Sequence, residues 1–207
     1  MTLPPLFARR LTKLLVGLFL FGIGTSLMVR ANLGLAPWDV LAQGVARTTG
    51  WSFGLVIVLT GLAVLLLWWP LHQKPGLGTL LNALLIGPSA QFGLWLLPEF
   101  DILWQQVTVF TAGLLLLSLA TGLYIGGRFG AGPRDGLMIG LHRRLGWPIW
   151  LARTLVEGSA LVVGWLLGGT AGIGTIAFAL LVGPLVGKAL RWCDTTLPEP
   201  MTRPASA

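Results

Sequence analysis

Charged residues are scarce in this sequence: Asp, Glu, Lys and Arg together make up 10% of its 207 residues, against about 25% in a soluble domain. The chain is also 55% hydrophobic, with a mean hydropathy of +0.81. So few charges cannot cover a water-facing surface. The composition therefore excludes an ordinary soluble protein and predicts an all-α integral membrane protein, folded as a single membrane domain over residues 1–207.

Cysteine and histidine are scarce too. The single cysteine, Cys193, excludes an internal disulfide and a cysteine-based metal cluster. No grouping of His, Cys, Asp and Glu has the spacing of metal ligands, and no Ser–His–acid grouping indicates a hydrolase. We therefore expect no metal, no cofactor and no enzymatic activity.

The net charge of +7 does not indicate nucleic-acid binding, because the Lys and Arg residues lie at the ends of apolar segments and form no dense stripe. Such a distribution is typical of membrane topology and of contact with anionic lipid. The expected partners are the lipid bilayer and a small molecule or ion, with no nucleic acid.

The sequence contains long apolar runs without charged residues. Five stretches contain no Asp, Glu, Lys or Arg: 14–29, 48–71, 75–98, 102–127 and 158–187. About 20 apolar residues cross a bilayer core of roughly 30 Å, so most runs match one crossing and the last holds parts of two. No small-residue cleavage site follows the first run before Arg30, so we interpret it as a retained span and not as a signal peptide.

An internal repeat organises these runs. The stretch GLAPWDVL (34–41) returns 96 residues later as GAGPRDGL (130–137). With that constant offset, residues 17–88 align without a gap to residues 113–184, and 26 of the 72 aligned positions are identical. Apolar composition alone would align leucines but not Gly, Pro, Asp and Trp, so the pattern indicates a duplicated unit.

Each copy contains three long apolar segments and one short one. The long segments are about 12–31, 51–71 and 77–97 in the first repeat (about 12–97), and about 105–126, 147–168 and 173–192 in the second (about 105–192). The short segments, 37–49 and 133–145, begin at Pro and end before Gly, as helices do. Thirteen residues rise only about 20 Å, so the short helices are expected to be re-entrant or to lie at the membrane surface.

The positions of the basic residues predict the topology. Six crossings with the N-terminus inside place twelve of the fourteen Lys and Arg residues inside and leave Arg30 and Arg47 outside, whereas eight crossings place ten inside. The positive-inside rule therefore favours six crossings and two cytoplasmic termini, with 193–207 as a polar tail. Three crossings per repeat is an odd number, so the second repeat would be inverted, a recurring plan among transporters.

Most of the ten Trp residues, Trp68 among them, lie near predicted span ends and are expected to be interfacial anchors.

The paired turns at 34–41 and 130–137, together with GLGTLLNALLIGP (76–88) and GIGTIAFALLVGP (172–184), resemble the YczE/YyaS/YitT-type bacterial membrane proteins, and most closely the YczE-like branch. The resemblance covers nearly the whole chain. It implies a small multi-pass protein of the bacterial cytoplasmic membrane, of a kind often described as a transporter or permease, without a settled substrate.

The repeated carboxylates Asp39 and Asp135 are the first candidate site residues. Each lies in the first turn of a short helix, where an Asp interacts favourably with free N–H groups and the helix dipole. Simple capping would explain both. The alternative is that two re-entrant helices aim these residues at a shared cavity, where the carboxylates favour a cation, a proton or the amino group of a zwitterion.

Three further residues are candidates because the repeat does not reproduce them. Glu157 has Gly61 as its counterpart, lies mid-span, and can pair with Arg153 one turn earlier. Ionisable residues at such depth usually face a bundle interior or a water cavity. Asn82, a mid-span polar residue, and Arg134, beside Asp135, complete the predicted substrate-binding set.

A second group of candidates consists of helix-start and hinge positions. Twelve of its members are Gly or Pro, whose roles are tight turns, close packing or a kink that frees backbone carbonyls, and the other two are the Thr residues of the two Gly-x-Gly-Thr stretches. They are Gly34, Pro37, Gly130, Pro133, Gly76, Gly78, Thr79, Gly172, Gly174, Thr175, Gly87, Pro88, Gly183 and Pro184. For each, a purely structural role and a role in gating remain open.

Together these features predict a secondary transporter for a small amine-bearing or cationic metabolite. The alternatives are a non-transporting membrane scaffold or regulatory partner, and a substrate-binding subunit of a larger importer. Small residues at Gly122, Gly126 and Gly130 allow close helix packing, either within one chain or in a homodimer.

Overall fold

The computed structural model describes residues 5–193, all of whose regular structure is helical. Its elements are α1 (Pro5–Ala31), α2 (Pro37–Thr49), α3 (Phe53–Trp68), α4 (Leu77–Leu96), α5 (Leu103–Gly126), α6 (Pro133–Leu145), α7 (Ile149–Leu166) and α8 (Ile173–Cys193). The predicted all-α class is confirmed. The predicted polar tail lies outside the described residues, apart from Cys193, which ends α8.

Five helices are long and apolar enough to cross a membrane, namely α1, α4, α5, α7 and α8. Helix α3 has only 16 residues, and it reaches the length of a sixth span only when it is taken together with α2, from which it is bent by 119°. The predicted segment 51–71 is shortened at its end because Pro70 and the turn around it stop the helix at Trp68. By length and composition, the described part of the chain thus has five or six candidate spans.

Helices α1 and α5 pack along each other at the centre of the bundle. Small residues let the backbones approach: a methyl group added to Gly17 would lie 2.7 Å from the Tyr124 backbone nitrogen, and one added to Gly24 would lie 2.9 Å from that of Leu117. Helix α4 packs on α1, and α8 packs on α5. The central pair therefore corresponds to the first helix of each repeat, flanked by the last helix of the same repeat.

The short helices begin and end as the sequence predicts. Pro37 and Pro133 occupy the first turn, and Gly50 (φ 74°) and Gly146 (φ 68°) end the two helices in the left-handed conformation, which glycine adopts without a Cβ penalty. Each short helix packs against the third helix of the other repeat, α2 on α7 and α6 on α3. The two repeats are therefore interlocked.

The two Gly-x-Gly-Thr motifs, residues 76–79 and 172–175, each contact the other repeat in the same way. The backbone N–H of Gly78 donates to the Phe129 carbonyl, and that of Gly174 donates to the Leu33 carbonyl, both at 2.8 Å. These residue pairs are related by the repeat offset of 96. The Thr79 hydroxyl also donates to the Ala131 carbonyl at 2.7 Å. Each motif thus starts its own helix and holds the turn that precedes the short helix of the other repeat.

The glycine in that turn is required by its geometry. Gly34 has φ 124° and Gly130 has φ 118°, a region that disfavours residues with a Cβ. A methyl group on Gly34 would also lie 2.7 Å from the Thr175 backbone nitrogen.

Gly34→Ala is therefore expected to lower the free energy of unfolding by about 1–3 kcal/mol, from backbone strain and overlap. Denaturation of the purified protein in detergent measures the effect. Gly50→Asn is the matched control, because it introduces a side chain at another positive φ with nothing within 4 Å, and we expect it to change stability by no more than about 0.5 kcal/mol. Equal stability of Gly34→Ala and wild type would contradict the docking role of the turn.

The small-residue stripe of α5 is used within the monomer. A methyl group on Gly122 would lie 2.8 Å from Ala189, and one on Gly126 would lie 3.3 Å from the Cys193 carbonyl oxygen, both in α8. Of the two interpretations of this stripe, intramolecular packing is therefore observed at these two positions.

Candidate functional site

A cavity of about 420 Å³ lies where the two repeats meet, and all eight described helices contribute to its lining. Its volume falls in the range typical of small-molecule sites. Its charged lining residues are Arg134, Asp135, Arg153 and Glu157. Much of the remaining lining is apolar, so the charged side chains are concentrated in an otherwise apolar cavity.

Asp135 lies at the polar end of the cavity, in the first turn of α6. The Tyr124 hydroxyl donates to its Oδ2 at 3.4 Å, a weak hydrogen bond by its length. A methyl group on Gly132 would lie 3.3 Å from that Oδ2, 3.4 Å from Asn82 Nδ2 and 3.4 Å from the Tyr124 hydroxyl. The absence of a side chain at Gly132 thus lets three polar groups, from α4, α5 and α6, converge.

The two repeated aspartates are connected through Arg134. Its Nη2 lies 3.6 Å from Asp39 Oδ1, and its guanidinium lies 5.3 Å from the centre of the Trp38 ring. Asp39 is 2% exposed, and a buried carboxylate of this kind needs a counter-charge. Asp39 of α2 therefore neutralises Arg134 from the start of α6, and it is not itself among the residues that line the cavity.

Glu157 and Arg153 form the ion pair that the sequence predicts, with Oε1 and Nε 3.2 Å apart. Both residues line the cavity from α7. The predicted set Asp135, Glu157, Asn82 and Arg134 is thus gathered around one cavity, and Asp39 reaches it through its partner Arg134.

The charges of this cluster do not cancel. Counted in their ionised forms, three carboxylates, Asp39, Asp135 and Glu157, accompany two guanidinium groups, Arg134 and Arg153, which gives one more acidic than basic group. The two guanidinium groups form their ion pairs with Asp39 and Glu157, at 3.6 and 3.2 Å, and Asp135 accepts a hydrogen bond from the neutral Tyr124 phenol. In an apolar enclosure a charge imbalance of this kind favours an organic cation or an ammonium group.

Most of the helix-start and hinge positions lie away from the cavity. Pro37, Pro133 and Gly183 contribute to its lining. The remaining positions do not: Gly34, Gly130, Gly76, Gly78, Thr79, Gly172, Gly174, Thr175, Gly87, Pro88 and Pro184. Thr175 accepts a hydrogen bond from the Leu35 N–H at 3.1 Å, so its observed contact is structural.

Two site residues were missed by sequence reasoning. Tyr124 is the only tyrosine of the chain, and a lone phenol in an apolar span is the signal that was available. Trp68 was predicted to be an interfacial anchor, and that prediction is wrong. It is 4% exposed, and its indole N–H donates to the Pro133 carbonyl at 2.9 Å, so it holds the start of α6 beside Asp135.

Residues 8–191 match the family of unknown function DUF6198. The chain belongs to that family. It is 39% identical over 178 residues to an uncharacterised protein of Haemophilus influenzae, covering 86% of this chain and 82% of the relative. It is 33% identical over 187 residues to the uncharacterised membrane protein YczE of Bacillus subtilis, covering 87% and 85%.

A third relative, the uncharacterised protein YyaS of Bacillus subtilis, is 29% identical over 175 residues, covering 83% of this chain and 87% of the relative. The resemblance to the YczE-like group is therefore confirmed. No solved structure matches the chain.

Proposed function

We propose that the protein is a secondary transporter of the bacterial cytoplasmic membrane for a small amine-bearing or cationic metabolite. The observation that carries this proposal is the cavity between the two repeats, around which three carboxylates and two guanidinium groups are clustered. Transporters of the inverted-repeat type bind their substrates at such a junction, where short helices start.

The proposal includes an inverted relation between the repeats, which the pairing of loop and helix-end contacts supports. Arg10 and Lys13, early in α1, donate to the Gly127 and Cys193 carbonyls at the ends of α5 and α8. At the other end of α1, Arg30 pairs with Glu99 at 2.8 Å. The end of α5 thus lies beside the start of α1, so these counterpart helices run in opposite directions.

Labelling of single cysteines tests this topology. In a Cys193→Ala background, we expect cysteines at Ser52, Glu99 and Ala171 to react with an impermeant thiol reagent in intact cells. Cysteines at Lys74 and Arg144 are expected to react only after the cells are opened. All five positions are exposed, so the three positions expected outside and the two expected inside serve as controls for one another. Labelling of Lys74→Cys in intact cells would contradict six crossings with cytoplasmic termini.

Uptake by purified protein in liposomes tests the transport itself. We expect accumulation of at least one of ethylammonium, choline and putrescine above protein-free liposomes, and no accumulation of propionate, whose charge the excess carboxylate repels. Absence of uptake for every amine would contradict the proposal.

Two other outcomes identify the alternative functions. Amine binding without uptake, combined with co-purification of an ATPase pair, would indicate a substrate-binding subunit of a larger importer. Absence of both binding and uptake, with a stable partner protein retained through purification, would indicate a scaffold or regulatory role.

A further inference from the structure

One helix face differs between the repeats in a way that changes the packing. Gly54, Ile57 and Gly61 of α3 correspond, at the offset of 96, to Trp150, Arg153 and Glu157 of α7. Spacings of three and four residues place each set on one side of its helix. Two glycines and an isoleucine have thus been replaced by a large ring and two charged side chains.

In the first repeat this face joins α3 closely to α4. A methyl group on Gly87 would run into the Gly54 carbonyl oxygen, and one on Gly61 would lie 3.2 Å from the Ala83 side chain. The Gln91 side-chain oxygen also accepts a hydrogen bond from the Gly54 N–H at 3.1 Å.

In the second repeat the corresponding helices are separated. Within residues 5–193, α7 and α8 form no extensive contact, whereas α3 and α4 do. Gly183 and Gly187, the counterparts of Gly87 and Gln91, have nothing within 4 Å of an added methyl group. Both line the cavity, as do Arg153 and Glu157 across from them. The cavity therefore occupies the place that helix packing fills in the first repeat.

The helices on either side of this gap are the most peripheral spans. In the most apolar 18-residue stretch of each span, the buried share is 17% in α7 and 22% in α8, against 44–50% in α1, α4 and α5. Large apolar side chains on both, such as Val162 and Leu180, are exposed. In a membrane these exposed surfaces contact acyl chains, so lipid lies beside both of the helices that border the gap.

The lining of the cavity has two kinds of surface. Asp135 of α6 and Glu157 of α7 provide carboxylates, whereas α8 presents Val182, Val186 and Leu190. A ligand that contacts both kinds needs a cationic head and a hydrocarbon chain.

We propose that the cavity opens sideways into the bilayer between α7 and α8, and that it takes an amine-bearing amphiphile from the membrane. Its ammonium group lies beside Asp135 and Glu157, and its hydrocarbon chain lies along α8 within the gap. This inference rests on the proposed amine site, and it identifies the substrate class of that site.

Chain-length dependence tests the inference. Binding of ethylammonium, hexylammonium and decylammonium to the full-length protein in lipid nanodiscs is measured and corrected for partition into protein-free nanodiscs. We expect affinity to rise roughly fourfold for each methylene that enters the gap, the factor that corresponds to burial of one methylene. Decyl sulfate of equal chain length is expected not to compete.

A pair of glycine variants locates the chain. Gly183→Leu fills the cavity lining beside the gap, and Gly158→Leu adds the same side chain at a position of α7 that has nothing within 4 Å. We expect Gly183→Leu to weaken decylammonium binding at least tenfold while ethylammonium binding stays within twofold. Gly158 is not part of the lining, so we expect Gly158→Leu to bind both amines as the wild type does.

The outcomes separate this inference from the proposed function. Equal affinity for ethylammonium and decylammonium, with ethylammonium uptake retained, would overturn the lateral opening and leave the transporter proposal standing. Decylammonium binding that depends on Gly183, without uptake of any amine, would support the opening and overturn the transporter. Binding of neither amine would overturn both.

Discussion

Asp135→Asn is expected to reduce amine binding and uptake by at least about tenfold, and up to about a hundredfold, while folded protein remains in the membrane. The reason is that this change removes the excess negative charge of the cavity, and a charge-assisted hydrogen bond contributes about 1.5–3 kcal/mol. The amide keeps the size of the side chain and can still accept from Tyr124, 3.4 Å away. Binding isotherms and liposome uptake, with detergent-solubilised yield as the folding control, measure the effect.

The repeated aspartate provides the comparison. Asp39→Asn is expected to lower the free energy of unfolding by about 1–3 kcal/mol, because it leaves Arg134 without its carboxylate partner. The double variant Asp39→Asn/Arg134→Gln, in which both charges are removed, is expected to recover most of that loss. If the two single Asn variants were equal in both stability and amine binding, simple helix capping in both copies would be the better account.

Gly87→Ala and Gly183→Ala are expected to differ strongly although the two positions are repeat counterparts. The added methyl group on Gly87 meets the Gly54 carbonyl oxygen, whereas nothing lies within 4 Å of one added to Gly183. Overpacking of this kind costs about 1–3 kcal/mol or more, whereas Ala in place of an unobstructed helical Gly is favourable by up to about 1 kcal/mol.

Thermal denaturation of the two purified variants in the same detergent measures the difference. We expect a clearly lowered midpoint for Gly87→Ala and an unchanged or raised midpoint for Gly183→Ala. A lowered midpoint for Gly183→Ala, equal to that of Gly87→Ala, would show that α7 and α8 pack as α3 and α4 do, and would remove the gap on which the lateral opening depends.

The short helices and their turns could be predicted because their signals are local. Pro at the first helical position and Gly at the C-terminal end set the bounds 37–49 and 133–145 without reference to the rest of the chain. The start of α1 could not be predicted in this way. The predicted first segment, about 12–31, leaves out Arg9 and Arg10, yet α1 begins at Pro5. Arg10 and Lys13 donate hydrogen bonds to carbonyls at the ends of other helices.

The candidate site was predictable only in part. Asp135, Glu157 and Asn82 were recognisable as polar groups in apolar surroundings, and the Arg153–Glu157 pair follows from helical spacing. The link from Asp39 to Arg134 joins residues of different repeats, so it depends on how the two halves dock. The separation of α7 from α8 likewise depends on tertiary packing, although the replacement of Gly54 and Gly61 by Trp150 and Glu157 was visible in the alignment of the repeats.

In the proposed function, the cavity is a transport site that is reached in turn from both sides of the membrane and is occupied by an amine. A cysteine at Thr121, which lines the cavity, tests this in oriented liposomes of the Cys193→Ala background. We expect an impermeant thiol reagent to modify it from either side, and we expect saturating ethylammonium to slow both reactions. Modification from one side only, at a rate that ethylammonium does not change, would contradict it.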